Sequence, residues 1–90
     1  MAKYLTNSVM LDALKRVQAL QPIFLNAGYS AHIDANFHTD WLDAEHTYIT
    51  FDLVVFEYND IIKSFDFSAR DTRELVDATC SLAEAYAKSL

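Results

Sequence analysis

The residues best able to do chemistry cluster in one stretch. His38, Asp40, Asp43, Glu45 and His46 lie within nine positions and could converge at the neck of one loop. Imidazole with carboxylate is a donor set suited to zinc or iron. His32 cannot join it, because six residues of extended strand put it about 20 Å from His38. No HExxH or CxxC spacing accompanies these residues, so no metal or other cofactor is expected. Nucleophilic catalysis has less support. There is no GxSxG elbow, and a single glycine, Gly28, excludes the usual phosphate-binding and dinucleotide loops. Asp40 and Asp43 could share acid-base work only inside a pocket, and 90 residues have difficulty enclosing one. Cys80 is the only cysteine, with no Lys, Arg or His within three residues to lower its pKa. It reads as a small buried apolar side chain in a reducing compartment. The expectation is a protein that is not an enzyme.

Recognition chemistry is better represented. Residues 1–31 carry a charge of +2, residues 32–68 carry −7, and residues 69–90 carry −1, for a net −6. Such a chain is not a direct nucleic-acid binder. Its acidic middle suits a basic surface on another protein, including one that normally holds nucleic acid. The same charges would also serve as a solvated face that maintains solubility. Asp43, Glu45, Asp52 and Glu57 are the candidate charges. Trp41, Val54, Phe56 and Tyr58 are the candidate anchors, since buried aromatics dominate binding hot spots. Trp41 has a second reading, as core beside Phe37.

The elements that must position these residues follow from periodicity. Val9, Met10, Ala13, Leu14, Val17 and Leu20 recur three and four apart, which predicts a helix over about 8–21 capped by Thr6 or Asn7. Pro22 interrupts it, a short turn over 23–27 follows, and Gly28 suits a left-handed C-terminal cap. Strict alternation then takes over. Ile33, Ala35 and Phe37 mark a first strand, and Ile49, Phe51, Leu53 and Val55 one face of a second over about 47–58. Phe65 and Phe67 mark a third over 61–67. Asn59-Asp60 is the expected hairpin turn. A plain two-residue loop would put Phe65 and Phe67 on the face opposite Leu53 and Val55; a bulge or longer loop would unite them. The second face of strand two carries Tyr48, Thr50, Asp52, Val54, Phe56 and Tyr58. A last helix over 72–88 shows Leu75, Ala78, Leu82, Ala85 and Tyr86 as its apolar face, flanked by Val76 and Ala83, with Thr79 bonding back to Leu75.

The result is one α+β domain over residues 1–90. It is a two-layer sandwich in α-β-β-β-α order, with a three-stranded antiparallel meander and both helices on one face. Area scaling gives a folded surface of roughly 5,400 Å² for this mass. The element order is similar to that of double-stranded-RNA-binding domains, but the last helix begins Asp71-Thr72-Arg73-Glu74 and lacks their basic N-terminal end. By class alone the chain resembles small acidic inhibitors carried by phages and plasmids, anti-CRISPR and toxin-immunity proteins among them. The leading expectation is therefore an inhibitor-type binding protein. The alternative is a homo-oligomeric structural or accessory protein, a homodimer joined through the Val54/Phe56/Tyr58 face. A small metalloenzyme is the third. No targeting segment is visible at the start, and the longest apolar run, Leu53–Phe56, is far too short for a bilayer. A soluble cytoplasmic protein with no membrane partner is expected.

Overall fold

The computed structural model describes residues 4–40 and 43–90. Their order is α1 (Asn7–Gln18), α2 (Gln21–Asn26), β1 (Ser30–Asp40), β2 (Asp43–Glu57), β3 (Asp60–Ser68) and α3 (Arg73–Lys88). The strands form one antiparallel sheet in the order β1-β2-β3, and the helices cover one side of it. No described helix is long and apolar enough to cross a membrane.

Local chemistry sets the boundaries. Thr6 caps α1 by accepting a hydrogen bond from the Val9 amide at 3.3 Å, and Thr72 caps α3 through the Leu75 amide at 3.1 Å. Pro22 sits in the first turn of α2, where its missing amide breaks no helical bond. Gly28 follows α2 at φ 92°, a conformation that lets the Tyr29 amide reach back to the Phe24 carbonyl at 2.9 Å. Met10, Ala13, Val17 and Leu20 are buried, as the spacing in α1 predicts.

The β2–β3 hairpin departs from expectation by one position. Glu57 pairs with Asp60, so the two-residue turn is Tyr58-Asn59 rather than Asn59-Asp60, with Tyr58 at φ 57°. A register shift then follows. Phe56 pairs with Ile61 but Val55 with Lys63, leaving Ile62 as an extra residue. That bulge puts Phe65 opposite Leu53 and Phe67 opposite Phe51. Without it, both phenylalanines would lie on the wrong side of the sheet.

The apolar face assigned to α3 from sequence packs only in part: Tyr86 meets Phe24 and Phe65, but the helix is turned toward the flank that holds Val76 and Ala83. Val76, Cys80, Ala83 and Ala87 are buried, whereas Leu75 and Leu82 are 51% and 63% exposed. Two causes set this rotation. The core beneath is already filled by Phe24, Phe65 and Phe67, so small side chains let the helix approach closely. On the α1 side, the Arg16 guanidinium donates to Asp77, to Glu84 at 2.6 Å and to Ser81 at 3.2 Å. Those contacts require Asp77, Ser81 and Glu84 to face α1. The Thr79 hydroxyl does donate to the Leu75 carbonyl, at 2.9 Å.

Phe37 is 78% exposed despite lying on the helix side of β1. The fifteen-residue β2 outreaches α1 and α3, which extend only about 18 and 24 Å. The β1–β2 hairpin therefore overhangs the helix layer, and the chain measures 44 × 24 × 15 Å. Its accessible surface, 6112 Å², exceeds the scaling expectation for the same reason.

Candidate binding face

Strand alternation gives the sheet two unlike sides. Phe51, Leu53 and Val55 face the helices, so Tyr48, Thr50, Asp52, Val54 and Phe56 face the other way. The register adds the neighbours on this open face. Ser30, Phe56 and Ile61 form one rung, and His32, Val54 and Ser64 the next. Asp34, Asp52 and Asp66 form the third, and Asn36, Thr50 and Ser68 the fourth.

The third rung is a row of three carboxylates directly opposite one another on adjacent strands. Side chains so placed have β-carbons about 5 Å apart, and like charges there are destabilising. The Asp52 carboxyl is pushed above its ordinary value, first by desolvation at the centre of the sheet, then by Asp66 and Asp34, with His38 opposing. Asp34 and Asp66 are exposed on either side. Among the described residues no ion pair is made to the row, and Lys63, the one base in β3, is directed elsewhere. Its Nζ lies 5.7 Å from the ring centres of Phe65 and Tyr86, on the helix side.

The two ends of the face differ. At one end the His32 ring meets the edge of Phe56 at 5.3 Å between centres, beside Val54 and Ile61. At the other, His38 stacks on Tyr48 at 5.2 Å and its Nε2 lies 3.0 Å from the Thr50 hydroxyl. The Arg70 guanidinium sits 5.3 Å from the Tyr48 ring centre. The face thus presents a half-buried apolar end, a central row of acceptors and a polar aromatic end.

Of the candidates read from sequence, Asp52, Val54 and Phe56 come together here, all half-buried. Tyr58 does not join them; it occupies the hairpin turn and is 93% exposed. Glu57 lies one residue beyond Phe56, so alternation directs it to the opposite side. Trp41 lies outside the described residues. Asp43 and Glu45 are described only as backbone positions of β2. The proposed cluster around Asp40 and His46 likewise falls there, and no group of three or more ligating side chains able to hold a metal ion occurs among the described residues. Sequence reasoning missed Asp34 and Asp66 as partners of Asp52. Each stands at a polar position of an alternating strand, but only the register makes them a row.

Cys80 is fully buried, its thiol 3.9 Å from the Ala13 carbonyl and pushed up in pKa by desolvation. An apolar groove of about 280 Å³ runs between Met10 and Leu11 of α1 and Phe37, Ile49 and Phe51 of the sheet. It offers no converging acid, base or nucleophile. No protein-family model matches the sequence, and no curated protein matches it significantly.

Proposed function

We propose that this chain is a non-enzymatic binding protein whose open sheet face takes a basic surface on another protein, blocking it. The observation that supports this reading is the cross-strand row Asp34–Asp52–Asp66 beside the half-buried Val54 and Phe56. A row of like charges works against folding, so a binding role gives it a positive function. Lysine or arginine side chains on a partner would neutralise the carboxylates, and their aliphatic stems would lie along Val54 and Phe56. A surface that normally contacts nucleic acid has the matching charge, which fits a cytoplasmic inhibitor. A twofold contact through this same face is disfavoured, since it would bring two carboxylate rows toward each other.

The test begins with mild crosslinking in the source cells and mass spectrometry to identify the partner. Binding kinetics then compare the wild-type chain with Asp34→Lys/Asp66→Lys. Both residues are exposed, so the variant should fold. Its association rate should drop at least about tenfold at low salt, with the gap narrowing at high salt. An unchanged rate at low salt would overturn the assignment of this face.

A further inference from the structure

We infer that the outward stripe of α3 is a self-association surface on which a second copy of this chain packs its own α3 antiparallel. The helix carries two apolar stripes, and the fold uses one. Val76, Cys80, Ala83 and Ala87 are buried. Leu75, Ala78, Leu82 and Ala85 are exposed, and at 100° per residue their stripe is centred about 150° away from the buried one. Their spacing of three, four and three is that of an a/d seam.

The second copy is favoured by how the residues pair. In an antiparallel pair with its twofold axis near residue 80, Leu75 meets the other copy's Ala85, and Ala78 meets its Leu82. Every layer sets a large side chain against a small one, the arrangement that lets two helices interlock closely. The flanking charges match in the same arrangement. Glu74 in the first turn and Lys88 in the last turn are both exposed and lie on the same flank of the seam. Running antiparallel, Glu74 of each copy lies beside Lys88 of the other, and the pair forms twice by symmetry. A parallel pair would instead leave Glu74 of one copy about 21 Å along the axis from Lys88 of the other, and on the opposite side of the seam. The carboxylate row is kept away from this contact, because it lies beyond the sheet from the helix layer.

About three turns of seam make a small interface, so association should depend on concentration. Sedimentation of the full chain from about 1 to 500 µM reads it. The expected result is a monomer–dimer equilibrium that Leu82→Glu weakens at least about tenfold. Glu74→Lys and Lys88→Glu should each weaken it about threefold or more, and the double reversal should restore it to within about twofold of wild type. A chain that stays monomeric throughout would overturn the inference. So would a dimer indifferent to Leu82→Glu that still folds, as judged by circular dichroism. A double reversal that restores nothing would overturn the antiparallel pairing, and this arm stands even if Leu82→Glu fails to fold.

Discussion

The two sides of the sheet use the same residue types to opposite ends. On the helix side, acids come with a base: Asp77 and Glu84 of α3 grip Arg16 of α1, and Glu84 above all holds that guanidinium protonated. On the open side, Asp34, Asp52 and Asp66 share one rung without an ion pair among the described residues. Apolar residues divide in the same way. Leu53 and Val55 are wholly buried, while Val54 and Phe56, their neighbours in the chain, remain half-covered. The helix side has the composition that stabilises a fold. The open side keeps features that stability alone would remove.

Mutations can break or sharpen that contrast. The largest effect is expected at Leu53, which is 0% exposed at the centre of the core. Leu53→Ala should lower stability by about 3 kcal/mol and the melting temperature by about 15 °C. Val54→Ala, one residue away, should lower it by less than about 1 kcal/mol. Equal losses in chemical denaturation would mean that the open face is covered in solution.

A smaller effect is expected at the helix seam. Arg16→Met keeps the aliphatic stem but removes the cation between Asp77 and Glu84. Two carboxylates are then left facing a neutral side chain, and stability should fall by about 1 kcal/mol. A neutral result would show that packing alone fixes the rotation of α3.

The smallest effect has the opposite sign. Asp52→Asn should raise stability at neutral pH by about 0.5 kcal/mol, by relieving repulsion across the row. The pH dependence follows from the raised carboxyl. Asp52 holds its proton more tightly folded than unfolded, so the wild-type chain loses stability as pH rises from the unfolded value of 3.8 through the folded one. The advantage of Asp52→Asn should therefore vanish in acid and reach its full size near pH 7. Denaturation midpoints across that range measure it, and an advantage that grows in acid would contradict the assigned shift.

Some of this was legible in the residue pattern. Alternation around Ile33, Phe51 and Phe65 identified three strands, and the Thr6 cap and Pro22 marked the limits of the first helix. Asp52, Val54 and Phe56 could be placed on one face because side-chain direction in a strand has period two. Leu75 and Leu82 were misread for a physical reason. Both stripes of α3 have helical spacing, and the one that carries Leu75 and Leu82 is the more hydrophobic. Which stripe packs depends on the aromatic volume beneath it and on Arg16, neither of which is local in sequence.

Residue types and their spacing determined the order of elements, the capped ends and the two-sidedness of each strand, because these arise from contacts within a few residues. The tertiary structure decided the rest. The extra residue at Ile62 set the β2–β3 register, and the register made three separate aspartates into one row. A one-residue shift would have dispersed that row and turned Phe65 and Phe67 to solvent. Burial of those two rings in the core fixes the register, and with it the binding face.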